Sequence, residues 1–385
     1  MNFRKAVGGP SWTRGSHWVC GVLLVVALTL WSSTAWAREI APFVDFGSVL
    51  RPVLGATGGS VLSRGESIPR IECPPGYTVA FYAQGLSAPD GLAFSPSGAL
   101  YVAEETSGRV SRIAPDGGAT PVVSGLANPE GIAFDDAGNL YVVEDVQEGR
   151  LVRVATDGTT TTLVTGLDAP EGVVWRAEND ALYVTESNAE FASFPQNTLR
   201  THVTVVSPQS GSATRLVTDA LSSYAGIAMG PDELLYVTNE ASGLITNASI
   251  FSVDPGTGAR PLFASDLLAP EGLRFADGGF PLYVVEEDTG DGRGRLSRVE
   301  ADGSHAPFCS GFYSIEDVVL DKAGRLYVSE DGSGSIIVIE REAHWRVWLP
   351  LISLWQHGDR AAPDGRAVAQ PLLEKGNTSS THAVA

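Results

Sequence analysis

Short runs of alternating apolar and polar residues fill the chain between residues 76 and 341, and Asp-Gly or other glycine-containing turns break them apart. Alternation with a period of two puts successive side chains on opposite faces of a strand. Long amphipathic helical stretches are missing, so the pattern predicts an all-β fold with many turns. One stretch shows the grammar. Gly131–Phe134 reads as a strand, Asp135–Gly138 as a turn, Leu140–Glu144 as a second strand and Gly149–Val154 as a third. Thr156-Asp157-Gly158 then turns the chain into a fourth strand, Thr161–Val164.

This grammar repeats. Leu86-Ser-Ala-Pro-Asp-Gly-Leu-Ala-Phe94 returns as Leu126-Ala-Asn-Pro-Glu-Gly-Ile-Ala-Phe134, as Leu167-Asp-Ala-Pro-Glu-Gly-Val-Val-Trp175 and as Leu267-Leu-Ala-Pro-Glu-Gly-Leu-Arg-Phe275. Two degenerate copies are Leu221-Ser-Ser-Tyr-Ala-Gly-Ile-Ala-Met229 and Phe312-Tyr-Ser-Ile-Glu-Asp-Val-Val-Leu320. Each copy is followed by a turn and a Leu-Tyr-Val strand, the first at Leu100-Tyr101-Val102 and the last at Leu326-Tyr327-Val328. The spacing between copies is 40 to 54 residues. Six units of four short strands at this period predict a six-bladed β-propeller. The last unit has only three strands, Asp317–Leu320, Arg325–Glu330 and Ser335–Glu340, while an orphan strand, Tyr77–Ala83, precedes the first. The orphan is expected to complete the last blade, which removes the open edge.

The ends read differently. Arg4, Lys5 and Arg14, the apolar run Val19–Trp31 and Ala35-Trp36-Ala37 form a secretory signal peptide over residues 1–37. The apolar run has 13 residues, against about 20 for a membrane span. No membrane insertion and no lipid anchor at Cys20 is expected. Residues 38–75 read as a linker, rich in Gly, Ser and Pro up to 68, and residues 342–385 as a mostly disordered tail with an apolar stretch at Trp345–Ile352. The expectation is a secreted monomer, extracellular or periplasmic.

Charge adds a constraint on partners. The signal holds three of the 26 basic residues and none of the 45 acids, so the mature chain carries −22. Such a surface repels nucleic acid and attracts cations. Of the three cysteines, Cys73 and Cys309 remain after export. They could pair in an oxidising compartment. Cys309 also sits at the repeat position of Val123 and Val164, which reads as a core site for a packed thiol.

Two acidic sets follow the repeat. The loop before the first strand and the loop after the second lie on the same face of a propeller. The first set is Asp90, Glu130, Glu171, Ala225, Glu271 and Glu316, and its five acids are expected to converge at the channel as ligands of a divalent cation. Hard oxygen donors and the absence of His suit Ca²⁺, or Mg²⁺ with retained waters. The second set is Glu104, Glu144, Glu186, Asn239, Glu286 and Glu330, expected slightly farther out as ligand-binding groups or as backbone caps. Ala225 and Asn239 break both sets in blade four, where Tyr224 replaces a proline, so the reading places a ligand notch there. Two long loops, Ser187–Arg200 with Asn188, Phe191 and Phe194, and Ala241–Ala248, flank it. The run from Glu286 to Gly292 is dense in oxygen ligands but lacks EF-hand spacing. No Gly-x-Ser-x-Gly nucleophile elbow occurs, and His202, His305 and His344 fall outside the mouth.

The Pro-Glu-Gly-Ile-Ala-Phe and Gly-Asn-Leu-Tyr-Val units resemble the NHL repeat and the superfamily of SMP-30, gluconolactonase and strictosidine synthase-like propellers. The Leu-Tyr-Val-x-Glu strands, the Gly-Leu-x-x-Pro-x-Gly starts and the Glu-Asp-Thr-Gly-Asp-Gly loop look most like the ScyD/ScyE family, whose members are mostly exported. Lactonases of the SMP-30 type hold a divalent metal with Glu, Asn and Asp at the channel mouth. Asp90, Glu130, Glu171 and Asn239 could supply such a set, although the family's local motifs do not match. Virginiamycin B lyase-like proteins share the Pro-x-Gly-Ile-Ala pattern but depend on a His that is missing here. The sequence therefore leads to a secreted, cation-binding propeller that takes a small molecule, glycan or protein ligand. A metal-dependent lactonase or esterase-type hydrolase and a structural interaction scaffold are the alternatives.

Overall fold

A computed structural model describes residues 68, 70–187, 200–220, 222–240, 248–287 and 293–342. The expected signal peptide, most of the linker, the C-terminal tail, His344, the flanking loops at 188–199 and 241–247, and residues 288–292 of the oxygen-rich loop lie outside the described residues. Among the described residues the chain forms six four-stranded antiparallel sheets. The innermost strands are Pro89–Phe94, Pro129–Phe134, Pro170–Arg176, Tyr224–Met229, Pro270–Ala276 and Ile315–Leu320. Each touches the next, and the sixth touches the first, so the sheets close into a six-bladed propeller around a channel.

The core is not central. It is divided into six wedges, each packed between neighbouring blades. The Leu-Tyr-Val strand explains why. In blade two, Leu140 and Val142 face blade one, while Tyr141 and Val143 face blade three. All four are buried to within 3%. One strand with period-two alternation thus feeds two wedges, which makes every blade depend on both neighbours.

Close approach of the inner strands requires glycine. A Cβ on Gly131 would lie 2.3 Å from the Glu171 carbonyl oxygen, and one on Gly91 would lie 2.4 Å from that of Glu130. Only a residue without a side chain fits at this spacing.

The orphan strand, Tyr77–Gln84, pairs antiparallel with Ser335–Arg341 and completes blade six. Two further ties fasten the same segment. Cys73 and Cys309 form a disulfide, so the thiols are joined rather than merely packed, and Glu72 bridges to Ser310 beside them. Ile68 and Ile71 enter the wedge between blades five and six. The last residues of the expected linker are therefore part of the packed fold.

Candidate functional site

The inner strands begin at one mouth of the channel, and their second residues form its wall. Asp90, Glu130, Glu171, Glu271 and Glu316 line a cavity of about 290 Å³ together with Ala225. The five acids of the first set are brought together as the repeat implies.

The second set stands elsewhere. Glu104 is two positions after Val102 and four after Leu100, so strand parity sends its side chain into the wedge with them. Glu104, Glu144, Glu186, Glu286 and Glu330 are at most 1% exposed, and none lines the channel. Each is a clamp. Glu286 accepts from Leu268 N at 2.6 Å, from Arg295 Nε and Nη2 at 2.8 and 2.7 Å, and from Ser297 Oγ. Glu104 does the same with Ser87 N, Arg109 and Ser111. Glu144 takes Ala127 N and Arg150, and Glu186 takes Asp168 N and Thr204, with Arg215 nearby. Asn239 accepts from Ser223 N in the equivalent place. In blade six the arginine comes from outside the repeat, for Arg70 of the N-terminal segment donates to Glu330 and stacks on Tyr313 at 4.0 Å. These groups tie the segment that enters each blade to that blade's second and third strands. Glu104 is held below its ordinary pKa by the Arg109 and Ser111 hydrogen bonds and the Ser87 N–H, which together overcome its burial.

Tyr224 also leaves the expected site. It is fully buried, packs against Phe251 and donates its hydroxyl to Asp219. Its backbone N–H, which a proline would lack, donates to Thr201 Oγ1.

The residues that do reach the mouth follow the clamps by one position: Glu105, Asp145, Glu240, Glu287 and Asp331. A one-residue shift reverses the facing of a strand end, so these carboxylates emerge at the channel where their predecessors turn away. The backbone fixes them. Glu105 N donates to Ala88 O, Asp145 N to Asn128 O, Glu240 N to Ser223 O, Glu287 N to Ala269 O and Asp331 N to Ser314 O, all at 2.8–3.0 Å. The adjacent acidic pairs Glu104-Glu105, Glu144-Asp145, Glu286-Glu287 and Glu330-Asp331 carried this signal in the sequence. Blade four is not a gap in the charge, because Glu240 stands at the mouth beside Ala225.

With Asp317, which replaces the inner-strand glycine in blade six, eleven acids line the cavity, and Arg274 is its one basic residue among those described. Burial pushes the Asp90, Glu130, Glu271 and Glu316 carboxyls well up, and neighbouring carboxylates push them further. Asp317 is pushed up to about 6 by burial, against the opposing pull of the Leu92 and Val318 N–H groups and Arg274. Glu271 lies against Glu240 and shares a hydrogen bond with it. One carboxyl oxygen from each of Glu240, Glu271 and Glu287 falls within 4.8 Å of the others. His202 is buried against Thr218, and His305 contacts the Ser265 carbonyl, so neither joins the mouth.

No protein-family model and no curated protein matches this chain. Solved structures do. A gluconolactonase from Xanthomonas campestris superposes with a TM-score of 0.58 at 20% identity, covering 70% of this chain and 91% of that one. A putative gluconolactonase gives 0.55 at 16% identity, over 72% and 97% of the two chains. A streptogramin B lyase gives 0.50 at 12% identity, over 69% and 98%. The solved neighbours are thus propellers of the gluconolactonase and streptogramin B lyase types, and what this chain demonstrably shares with them is the fold.

Proposed function

We propose that the channel mouth binds a divalent cation through Glu240, Glu271 and Glu287, and that this cation helps hold a small ligand in the cavity. The observation that carries the reading is the convergence of these three carboxyl groups within 4.8 Å. Oxygens 2.3–2.6 Å from a common centre, as around Ca²⁺, can be separated by up to about 5 Å, whereas the shorter bonds of Mg²⁺ require a tighter set. A cation also offsets the mutual repulsion that adds to burial in raising the Asp90, Glu130, Glu271 and Glu316 carboxyls. Asp90, Glu130, Glu171 and Glu316 of the same wall remain candidates for its outer ligands or for water-bridged contacts. The signal peptide supports a secreted protein, and the motif likeness to the ScyD/ScyE group supports the same location.

A second reading is a metal-dependent hydrolase of lactones or esters. A bound divalent cation would polarise a carbonyl and lower the pKa of water. Asp317 favours this reading, since a carboxyl pushed up to about 6 on the cavity wall is suited to proton transfer near neutral pH. Gluconolactonases among the solved neighbours supply the substrate class to try first.

Equilibrium dialysis against Ca²⁺ and Mg²⁺ tests the binding, with one tightly held Ca²⁺ per chain expected and its loss in Glu271→Gln. A panel of aldonolactones and simple esters tests the hydrolase. Turnover that stops with chelator and in Asp317→Asn supports it, and no turnover with Ca²⁺ bound leaves the binding protein.

A further inference from the structure

A second cavity, of about 480 Å³, opens on the face opposite the acidic mouth, between blades two and three. Its walls are the turns between the first and second strands of both blades and the turn between the last two strands of blade three. In the wedges between blades six and one and between blades four and five a third ring fills this place, whereas blades one and three, like blade two, have an aliphatic residue there. Tyr82 packs edge-on to Tyr327 at 4.8 Å, with Phe94 on the same tyrosine. Phe263 packs edge-on to Tyr236 at 4.9 Å, with Phe275 beside it. The repeat position of Tyr82 and Phe263 is Leu163 in blade two, one residue before the strand partner of Leu151. The smaller side chain leaves the wedge without its plug.

The residues around the gap are organised for a polar ligand with a flat apolar face. Trp175 lines the cavity and is half-buried, with its indole Nε1 donating to Asp180 at 3.0 Å, so the ring is held in one orientation. Asp180 also receives Gln209. On the facing wall, Asp135 accepts from Asn139 Nδ2 at 2.7 Å and from the Tyr141 hydroxyl at 2.9 Å. Between them sits Arg153. It makes no side-chain hydrogen bond or ion pair among the described residues, and its Nε is shut from solvent without a partner. A buried donor left without a partner is destabilising, so it marks a place where a bound oxygen would be stabilising. Asp136, exposed at the rim, offers an acceptor a short way along the same turn.

A fixed indole, an unengaged guanidinium and a free-standing carboxylate form a small concave site with both donors and acceptors. Sugar rings match this set: apolar C–H faces for the indole, and hydroxyls that both donate and accept. The surrounding acids and the strongly negative chain disfavour a phosphate or a nucleotide. We propose that this cleft binds a neutral saccharide unit, stacked on Trp175 and hydrogen-bonded by Arg153 and Asp136. It lies apart from the channel mouth and does not depend on the cation.

The chain holds eight tryptophans, of which Trp175 is the one among the described residues, so the cleft signal is the part of the fluorescence lost in Trp175→Phe. The test titrates the full chain, with chelator present, with maltose, cellobiose, lactose and chitobiose, each up to about 20 mM. Difference spectra against Trp175→Phe isolate the signal, and calorimetry gives the affinity. The expected result is saturable binding of at least one disaccharide, weakened about tenfold or more by Arg153→Met and by Trp175→Ala, and unchanged by Glu271→Gln. Arg153→Met keeps the apolar stem, so it serves if Trp175→Ala fails to fold. Absence of saturable binding across the panel overturns the proposal. So does binding that survives both cleft substitutions, binding lost only in Glu271→Gln, or a preference for glucuronate over the neutral sugars.

Discussion

Glu286 and Glu271 differ by 15 positions in one blade and should respond to the same substitution with opposite signs. Glu286 is fully buried and holds two charge-assisted hydrogen bonds from Arg295, one from Leu268 N and one from Ser297. Glu286→Gln keeps one acceptor oxygen but leaves the guanidinium of Arg295, only 18% exposed, without its counter-charge. Breaking a buried pair from one side costs about 3–5 kcal/mol, and the retained oxygen recovers part of that, so a loss of about 2–4 kcal/mol follows. At roughly 2 °C per kcal/mol or somewhat more for a domain of this size, the melting temperature should fall by about 5–10 °C. Glu271→Gln removes a carboxyl whose ionised form is disfavoured by burial and by Glu240, Glu171 and Glu316. In chelator at pH 7.5 that variant should melt above the wild type, and in excess Ca²⁺ below it. Thermal unfolding by circular dichroism, in both buffers, measures the four values. Destabilisation by both substitutions in chelator would refute the assignment of one ring to clamping and the other to an electrostatically stressed mouth.

Other outcomes follow from the same geometry. Gly131→Ala places a Cβ 2.3 Å from Glu171 O and 2.9 Å from Gly172 Cα, both backbone, so it should cost roughly 2–3 kcal/mol in urea unfolding. Opening the Cys73–Cys309 disulfide, which spans 236 residues, should lower stability by up to about 5 kcal/mol on the chain-entropy argument, read as a drop in the urea midpoint with reductant or in Cys73→Ser/Cys309→Ser. The chelated protein should become more stable as pH falls from 7.5 to 5.5. The mouth acids bind protons more tightly folded than unfolded, so stability is lost as pH rises from the ordinary carboxylate range through their raised values. Asp317, moved from 3.8 to about 6, contributes about 1 kcal/mol of that gain across this window. Saturating Ca²⁺ should flatten the profile, and a chelated protein that is most stable at pH 7.5 would contradict it.

Much of the fold was legible because it is written as a repeat. Six Pro-Glu-Gly-like starts and six Leu-Tyr-Val strands give the blade count, and the unmatched strand at residue 77 finds its partner in the unit that lacks one. The first acidic set was legible for the same reason: the second residue of each inner strand lines the channel in every blade. The second set holds as backbone caps, each member accepting a backbone N–H, but as ligand-binding groups it was misplaced by one residue. Parity from Leu100 through Val102 to Glu104 already directs that carboxylate into the wedge, while the less regular acids just after it, Glu105, Asp145, Glu240, Glu287 and Asp331, reach the mouth. Period two decides facing only when counted from a buried residue of the same strand, and counting from the loop hid it. Arg70 could not be read at all, because it completes the blade-six clamp from a segment that shares no repeat with it. The notch expected in blade four rested on Ala225 and Asn239, and Glu240 closes it with charge.

Glu240, Glu271 and Glu287 are proposed above to coordinate one divalent cation. The most direct test is anomalous diffraction from crystals of the full chain grown in Ca²⁺ and exchanged into Mn²⁺. A single strong peak is expected at the mouth of the channel, within about 2.6 Å of one oxygen from each of the three carboxylates. No peak there at full Mn²⁺ exchange, or a peak elsewhere with these carboxylates turned away from one another, would contradict it.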